Sequence, residues 1–505
     1  MPARVYLVGA GPGDPGLITL KGVECLRRAD VVLYDYLANS QLLEHVPAGA
    51  ERVCLGRHGG GRLMTQPEVN ALMVASAQAG KTVVRLKGGD PMVFAHAGEE
   101  IEALEQADVE FEVVPGITVA LAAGSYAAVP VTHRDVASAV ALVTAKQRSG
   151  PGSPRLDYEA LARFPGTLVF YMGVTTADRW TGDLIDAGMS GSTPAAIIRL
   201  CSWPDQSVER CTLGEVAERI EQAHLRPPVI VVIGNSVGLD AGVHWFSERP
   251  LFGQRIVVTR PEDQALTLRD RLQSLGAEVL VQPVIAIEPA ADAAALDDAI
   301  GRVSEFDWVV FSSANGVRYF FDRLYAGGGD ARRLGAVKLA AIGPGTAAEL
   351  ARYHLHADLQ PEEYRAESLA EALLEQPDAA TFLLVRASRG REVLSERLLD
   401  AGKRVHQVVA YSSRDVTEAN AQIAQAIRDG EVDWVTVTSS AIARATVALF
   451  GDALTATRLA SISPLTSSAL RELGQEPAVE ATQYDRPGLV DAVLKVERRE
   501  SAAQP

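Results

Sequence analysis

The sequence predicts an α/β protein built from several domains. Short runs rich in β-branched and aromatic residues alternate with segments rich in Ala, Leu and Glu, and the clearest runs lie at 5–8, 31–34, 83–86, 167–171, 229–233, 256–259, 308–311, 382–385 and 434–437. Strands that alternate with helices in this way predict largely parallel sheets, with ligand sites at the carboxyl ends of the strands. The 505 residues correspond to roughly three or four domains of ~150 residues each.

The charge balance excludes some classes of partner. The chain has 48 Lys and Arg residues against 64 Asp and Glu residues, a formal net charge of -16. Such a field repels polyanions at long range, so an anionic ligand needs a local basic site. Hydrophobic residues make up 47% and charged residues 22% of the chain, which is typical of a folded protein rather than a disordered one. We therefore expect small-molecule partners, with no nucleic acid and no membrane.

The cysteines and the N-terminal residues favour a cytoplasmic location. Cys25, Cys54, Cys201 and Cys211 show neither CxxC spacing nor a dense framework, a pattern that favours a reducing compartment and argues against a zinc site. The N-terminus lacks the charged and long apolar regions of a secretory signal. Residues 113–132 carry no formal charge, but their prolines, glycines and alanines favour a buried helix beginning near Thr118 over a membrane span.

Two turns in the first half could approach a ligand through their backbone. Residues 9–15 (GAGPGDP) follow a predicted strand, but the prolines, the acidic residue and the missing third glycine distinguish this loop from a dinucleotide fingerprint. It suits a neutral or cationic ligand, and an ordinary tight turn is the alternative. Residues 83–91 (VVRLKGGDP) run into a double-glycine turn, where Asp90 offers a carboxylate to a ribose hydroxyl or an amine. A capping box at 65–68 is expected to be structural only.

The second half carries an internal repeat. FDWVVFSSA at 306–314 recurs as VDWVTVTSSA at 432–441, and IGPGTA at 342–347 is echoed by ISPLTS at 462–467. The repeat predicts two related α/β lobes whose strands end in Ser or Thr and open into helices, where hydroxyls and free backbone N–H groups favour anions. Ordinary capping is the alternative for any single serine. We expect the halves to meet near 240–254 and the first half to divide again near 113–116.

Six motifs in the first half together resemble one enzyme family. These motifs are, in order, GAGPGDP, VVLYD, RLKGGDP, VVPGIT, PVTHRD and FYMG. As a set they resemble the tetrapyrrole methylase family, most closely its uroporphyrinogen-III C-methyltransferases. The resemblance implies a two-lobed α/β domain over residues 1–248 that binds S-adenosylmethionine between its lobes, forms a homodimer and needs no metal. The residues expected to line the methyl donor are Pro12, Gly88, Gly89, Asp90, Val93, Thr118, Val119, Met172 and Val229.

The same resemblance implies two catalytic residues. Asp35 ends the VVLYD motif and matches the family's proposed base, which accepts the proton lost from the macrocycle. Helix capping is the alternative role of Asp35. Arg57 stands where the family usually has a lysine suggested as proton donor, and arginine can clamp a carboxylate but does not readily release a proton. The family's Gly-Arg-Gly and Gly-His are replaced at 95–97 and 145–146. Slow, altered or lost methylation is one expectation from these departures.

The second half resembles another family. Its sequence shows no Ser-His-Asp order, metal-ligand cluster or Walker loop. It does contain the motifs TRP, SSANG, GPGT, RASRGR, TSS and SPLT. These resemble the motifs of uroporphyrinogen-III synthases over residues 255–492. This implies two lobes joined by a two-strand hinge, one formed by 255–288 with 412–492 and the other by 289–410. Tyr411 is expected to assist hydroxyl departure. The residues expected to bind substrate carboxylates are Thr259, Arg260, Ser313, Thr346, Arg389, Ser439 and Thr466.

Together the two resemblances predict a bifunctional enzyme of tetrapyrrole biosynthesis. The synthase half is expected to cyclise hydroxymethylbilane, a linear tetrapyrrole with eight carboxylates, to uroporphyrinogen III. The methylase half then transfers two methyl groups from S-adenosylmethionine, giving precorrin-2 for sirohaem and cobalamin. Two alternatives stay open. Either only the synthase is active and the methylase half is a binding or dimerisation module, or the methylase acts on another corrinoid intermediate.

Overall fold

The chain divides into two compact units, and each is described here by itself. The N-terminal unit comprises Met1–Arg255, Arg271–Glu278 and Glu497–Pro505, and the C-terminal unit comprises Ile256–Asp270 and Val279–Val496. The computed structural model describes residues 4–57, 61–146, 155–239, 242, 244–377 and 379–503. Helices and strands alternate in both units, so the predicted α/β class is confirmed.

The first sheet of the N-terminal unit is entirely parallel. Its order is β3-β2-β6-β1-β7. Residues of α1 pack on one face with Val8 and Val32, whereas residues of α2 and α3 pack on the other with Leu7 and Leu33. The alternation of buried faces follows from the two-residue period of a strand. The elements are β1 (Val5–Gly9), α1 (Leu20–Arg27), β2 (Val31–Tyr34), β3 (Glu51–Cys54), β4 (Gly56–Arg57), β5 (Gly61–Arg62), α2 (Gln66–Gln78), β6 (Val83–Lys87), α3 (Ala97–Gln106) and β7 (Phe111–Val114).

Two local predictions in this unit are confirmed. The capping box at 65–68 is present at the start of α2. The uncharged stretch after β7 contains α4 (Val119–Tyr126), a helix that begins directly after Thr118 and buries Ala120, Ala122 and Ala123. Small side chains let this helix pack closely, as its composition predicts. Among the described residues of the whole chain, no helix is both long and apolar enough to cross a membrane.

The second sheet of the N-terminal unit corrects the expectation of largely parallel sheets. Its order is β11-β10-β12-β9-β8, and only β8 and β9 run parallel. Residues 200–206 alone connect β10 to β11, and a parallel crossover needs about a dozen residues or more. These two strands therefore pair antiparallel. The elements are β8 (Val140–Thr144), α5 (Tyr158–Ala162), β9 (Thr167–Tyr171), α6 (Ala177–Asp186), β10 (Pro194–Arg199), β11 (Ser207–Thr212), α7 (Val216–Gln222) and β12 (Val229–Ile233).

The C-terminal unit is built around two five-stranded sheets. Their orders are β14-β13-β20-β21-β22 and β15-β19-β18-β16-β17. In the second sheet β15 runs antiparallel to the long strand β19, pairing Pro289 with Tyr411. The strands are β13 (Arg255–Val258), β14 (Glu278–Val281), β15 (Ile285–Pro289), β16 (Trp308–Phe311), β17 (Lys338–Ala341), β18 (Thr381–Ala387), β19 (Arg404–Asp415), β20 (Trp434–Val437), β21 (Arg458–Ser461) and β22 (Val479–Glu480).

The sequence repeat occupies equivalent places in these two sheets. β16 and β20 each lie between two parallel neighbours. Each is followed by a helix whose N-cap serine, Ser313 or Ser439, accepts a backbone N–H bond with its hydroxyl. The helices are α8 (Glu262–Ser274), α9 (Ala294–Gly301), α10 (Ala314–Ala326), α11 (Pro344–Arg352), α12 (Ala366–Leu374), α13 (Val393–Asp400), α14 (Ala421–Arg428), α15 (Ser440–Phe450), α16 (Pro464–Glu472) and α17 (Arg486–Ala503).

Candidate active sites

Glycines bring the loops after β1, β6 and β7 into contact. These strands are parallel neighbours in the N-terminal unit, so their carboxyl ends meet at one edge of the sheet. Gly11 donates to Gly89 at 3.2 Å and Gly89 donates back at 2.8 Å through backbone hydrogen bonds. A Cβ on Gly9 would lie 2.5 Å from the Cα of Gly116, and a Cβ on Gly116 would collide with the carbonyl oxygen of Gly89. Only glycine permits so close an approach. We call the backbone groups of Gly9, Gly11, Gly89 and Gly116, which meet here, the glycine cradle.

Asp90 is fixed at the edge of this glycine cradle. Its Oδ2 accepts the Gly116 N–H at 2.9 Å and its Oδ1 accepts the Met92 N–H at 2.8 Å. The Val93 N–H donates to the Asp90 carbonyl at 3.2 Å, and Gly88 lies against the Cβ of Leu37. Each carboxylate oxygen keeps a lone pair for a ligand hydroxyl or ammonium group.

The start of α4 and the end of β9 lie beside the same cradle. The Cα of Thr118 is 3.9 Å from the position of a Cβ on Gly89. The Thr118 hydroxyl is 2.7 Å from the Tyr171 hydroxyl, which also accepts the Ala120 N–H at 3.1 Å. Met172 follows with a φ of 56° and a side chain that is 45% exposed. A positive φ is uncommon for a residue with a side chain and is typical of functional sites.

The remaining predicted donor ligands occupy less direct positions. Pro12 accepts a hydrogen bond from the indole N–H of Trp203 at 3.1 Å. Val119 is the first residue of α4 and is partly buried. Val229 is buried at the start of β12, one residue before the partner of Tyr171, so only its backbone could reach a ligand. Trp203 and Tyr171 were not singled out as site residues from the sequence, although FYMG contains the tyrosine.

Asp35, which directly follows β2, ends a chain of four charged side chains, of which Arg85 and Lys87 lie on β6 and Glu100 lies on α3. Arg85 donates from Nη2 to Asp35 Oδ1 at 2.6 Å and from Nε to Glu100 Oε1 at 3.0 Å. The Nζ of Lys87 lies 2.7 Å from both oxygens of Glu100. Asp35 is 31% exposed, whereas Arg85, Glu100 and Lys87 are 5%, 0% and 1% exposed. The backbone of Arg57 lies in the β4–β5 hairpin, but its side chain is outside the described part of the structure.

The C-terminal unit holds a cavity of about 350 Å³ at the ends of its strands. Most of its lining comes from helix N-termini, and the lining residues are Arg260, Gln264, Ser313, Ala314, Asn315 and 342–346. The amide of Gln264 on α8 donates to Asn315 on α10 at 2.9 Å, which ties one wall to the other. Gln264 and Asn315 were missed as site residues. Gln264 lies four residues after Arg260, in the first turn of α8, so its place just after a strand end was the signal available in the sequence.

Arg260 lines this cavity, and no carboxylate among the described residues hydrogen-bonds to its guanidinium. Its guanidinium donates to Thr438 Oγ1 at 3.2 Å and to Gln264 Oε1 at 2.9 Å, and its buried Nε has no partner among the described residues. Burial, and secondarily the charge of Arg486, lowers the pKa of Arg260, while the charge of Asp263 opposes this shift. A desolvated cation of this kind gains most from a ligand carboxylate, because charge-assisted bonds are strong where water is excluded.

Tyr411 and Ser313 form a hydrogen-bonded pair beside the cavity. Their hydroxyl oxygens are 3.0 Å apart, and the Ser313 hydroxyl also accepts the Gly316 N–H at 3.0 Å. The Tyr411 ring is 6% exposed and stacks on Tyr319 with centroids 5.6 Å apart. Burial raises the pKa of Tyr411, against the opposing effect of hydrogen bonds with Ser313 and Asn315. The phenol therefore stays protonated at neutral pH.

The structure does not bring all predicted carboxylate ligands together. Thr346 lines the cavity, but Thr259 is fully buried and donates to the Thr436 carbonyl at 2.6 Å. Ser439 caps α15, and the buried Thr466 lies 3.1 Å from Ser463 Oγ at the start of α16. Arg389 is paired with Asp415 at 2.7 Å, and this bond lowers the pKa of Asp415. No group of three or more potential metal ligands is found in the described ranges.

Comparisons with known proteins match both units. The family model described as Tetrapyrrole (Corrin/Porphyrin) Methylases matches residues 4–217, and the one described as Uroporphyrinogen-III synthase HemD matches residues 267–491. The Porphyrin biosynthesis protein HemD of Ruminiclostridium josui is 34% identical over 482 residues, which cover 95% of this chain and 94% of the relative. The chain belongs to this family of fused tetrapyrrole methylases and uroporphyrinogen-III synthases.

Two further relatives are named as methyltransferases. A Uroporphyrinogen-III C-methyltransferase of Bacillus subtilis is 42% identical over 347 residues, 68% of this chain and 71% of the relative. An S-adenosyl-L-methionine-dependent uroporphyrinogen III methyltransferase of Methanosarcina barkeri is 44% identical over 236 residues, 47% of this chain and 92% of the relative. The methylase–synthase is thus a bifunctional enzyme of tetrapyrrole biosynthesis. Its first site presents backbone groups and one carboxylate, and its second presents hydroxyls, amides and a guanidinium.

Proposed function

We propose that the synthase half closes hydroxymethylbilane to uroporphyrinogen III and that the methylase half converts this product to precorrin-2 with two methyl groups from S-adenosylmethionine. The halves are assigned to residues 255–492 and 1–248, the synthase lobes being 255–288 with 412–492 and 289–410. The product would serve sirohaem and cobalamin synthesis. The proposal includes a cytoplasmic homodimer joined through the methylase half, with no metal.

The glycine cradle is the observation that carries the methylation proposal. A methyl donor with an ammonium group and ribose hydroxyls fits backbone carbonyls and the Asp90 carboxylate better than it fits a phosphate loop. When bound, S-adenosylmethionine supplies an electrophilic sulfonium methyl group. The chain holds Thr118, Val119 and Met172 beside this position, so its main contribution is orientation. Asp35 then accepts the proton that the macrocycle loses after its carbon forms the new C–C bond.

Arg260 supports the cyclisation proposal. It is desolvated, its guanidinium lacks a carboxylate partner among the described residues, and the proposed substrate has eight carboxylates. Tyr411 donates its proton to the departing hydroxyl of the substrate, which leaves as water. The remaining cation is held by the surrounding hydroxyls and amides while the chain of pyrroles folds for ring closure. The proton that the closed ring loses on regaining its aromaticity returns to the Tyr411 phenolate. Ser313 orients the phenol through the shared hydrogen bond.

One incubation tests both activities. Purified protein is given hydroxymethylbilane and S-adenosylmethionine, and products are separated by chromatography and identified by mass spectrometry and carbon NMR. We expect a dimethylated product with the precorrin-2 mass. Unmethylated uroporphyrinogen III alone would instead favour a methylase half that acts as a binding or dimerisation module, as Arg57, Ala95 and Lys146 suggest. Methylation at other carbons would favour another corrinoid substrate.

A further inference from the structure

The chain of charges behind Asp35 is neutral overall and closed to water at its inner end. Lys87 and Arg85 balance Glu100 and Asp35, and the three inner side chains are at most 5% exposed. Burial, and secondarily the charge of Arg85, lowers the pKa of Lys87. The amide of Gln66 adds a bond to Glu100 Oε1 at 3.1 Å. Asp35 is the open end of this otherwise enclosed network.

Folding alone does not require such a network. Removing ions from water is costly, and apolar side chains of similar volume often serve stability equally well or better. Two buried cations on the inner strand β6 and one buried carboxylate on α3 therefore call for another role. A network with one accessible member can fix the orientation and charge of that member.

The geometry shows how orientation passes along the network. The Arg85 guanidinium donates four hydrogen bonds. Its Nε donates to Glu100 and its Nη2 to Asp35. Its Nη1 donates to the carbonyls of Leu86 and Leu33 at 3.1 and 3.4 Å. Its plane is thus fixed. One oxygen of Asp35 is held at 2.6 Å, which leaves the other for a substrate proton. Without Glu100, the Nε donor would lose its acceptor and the plane could rotate.

The network also reaches the methyl-donor loop. Lys87 is the last residue of β6 and directly precedes Gly88 and Gly89. Its carbonyl accepts the Ala10 N–H at 2.8 Å, and Ala10 lies in the loop after β1. One strand therefore carries the anchor of the base and the start of the glycine cradle.

We propose that the buried Lys87–Glu100 pair is a positioning device for Asp35, acting through Arg85. This inference rests on the proposed methylation. Glu100 holds the guanidinium in place, Lys87 neutralises Glu100, and Arg85 presents Asp35 at a fixed angle to the macrocycle. Neither Glu100 nor Lys87 contacts substrate.

Two variants of the full chain test this role. Glu100→Gln removes the charge at nearly constant volume, and the double variant K87M/E100M replaces the inner pair with apolar side chains that keep the space filled. We expect both to lower the kcat of methyl transfer at least tenfold. The KM for S-adenosylmethionine and the affinity for S-adenosylhomocysteine should stay within twofold of wild type. The matched control is Glu51→Gln, which breaks the exposed Glu51–Lys81 pair of 3.2 Å in the same unit, and it should leave kcat unchanged.

The outcomes separate the inference from the function on which it rests. Wild-type kcat in either folded variant overturns the inference, as does an equal loss of S-adenosylhomocysteine binding, which would mean that the pair only shapes the donor loop. If Glu100→Gln does not fold, K87M/E100M decides alone. If the wild-type chain binds S-adenosylhomocysteine but methylates no tetrapyrrole, the proposed methylation itself is wrong.

Discussion

At the scale of single residues, burial keeps the Tyr411 hydroxyl protonated over a wide range of pH. Because burial raises its pKa, the phenol stays protonated up to a pH above its ordinary ~10, so this group should cause no loss of synthase activity between pH 7 and about 10. We expect Tyr411→Phe to lower the synthase kcat about tenfold or more. The free energy of unfolding should fall by only about 1 kcal/mol. Chromatography of the oxidised uroporphyrin isomers measures the rate, and thermal melting measures the stability.

The control for this variant is a neighbouring tyrosine. Tyr319→Phe keeps the ring that stacks on Tyr411 but removes a hydroxyl that donates to the Ile287 carbonyl at 3.3 Å. Its synthase rate should match wild type. An equal loss in both variants would assign the effect to packing, and a wild-type rate in Tyr411→Phe would exclude the phenol as the proton donor.

Arg260 should show opposite effects on binding and stability. Burial and the charge of Arg486 lower the pKa of Arg260, and the charge of Asp263 only partly opposes them, so Arg260→Gln removes a cation that is largely desolvated. We expect the KM for hydroxymethylbilane to rise about tenfold and the melting temperature to rise by about 2–4 °C. Arg389→Gln is the comparison, because Arg389 already pairs with Asp415, and its KM should change less. A larger effect at Arg389 would mean that Asp415 releases it to the substrate.

At the scale of elements, helix α3 shows what the sequence could have revealed. Its buried residues are Ala97, Glu100 and Leu104, spaced by three and four, which is one face of a helix. An acidic residue on a buried helix face indicates a buried ion pair. The sequence does not show whether Glu99 or Glu100 is that residue, because both stand in the same run of charged residues. Lys87 at the end of a buried strand offered the complementary signal. The partner of each charge depends on the sheet order, which local patterns do not contain.

The close approach of three loops gives a prediction for Gly116. Gly116→Ala places a Cβ against the carbonyl oxygen of Gly89, and backbone atoms on both sides cannot move aside cheaply. We expect affinity for S-adenosylmethionine to fall at least tenfold, measured by calorimetry, with the synthase rate unchanged. Gly98→Ala is the matched control because nothing lies within 4 Å of a Cβ there, and in α3 it should stabilise slightly, by up to about 1 kcal/mol. Normal donor binding by Gly116→Ala would move the site away from the cradle.

At the scale of the whole molecule, strands were easier to predict than their pairing. All nine predicted runs contain strands, because β-branched residues buried on both faces leave a strong local pattern. Residues 194–199 and 207–212, which form β10 and β11, were not predicted as strands. Because β11 is half-exposed, its sequence shows neither a continuous apolar run nor a regular alternation. Missing that hairpin led to the wrong expectation of parallel pairing. Likewise, strand ends near Ser313 and Arg260 were predictable, whereas the cavity they share depends on how two sheets pack.

The net charge of -16 predicts opposite salt dependences for the two proposed substrates. The protein's field repels a tetrapyrrole with eight carboxylates and attracts S-adenosylmethionine, whose sulfonium leaves it with a net positive charge. Raising ionic strength from 20 to 200 mM shortens the screening length from about 20 Å to about 7 Å. We expect kcat/KM for hydroxymethylbilane to rise about two- to fivefold and that for S-adenosylmethionine to fall, with sodium and potassium chloride equivalent. A steep fall for hydroxymethylbilane would instead mean that exposed cations attract it before it binds, because salt weakens attraction between exposed charges.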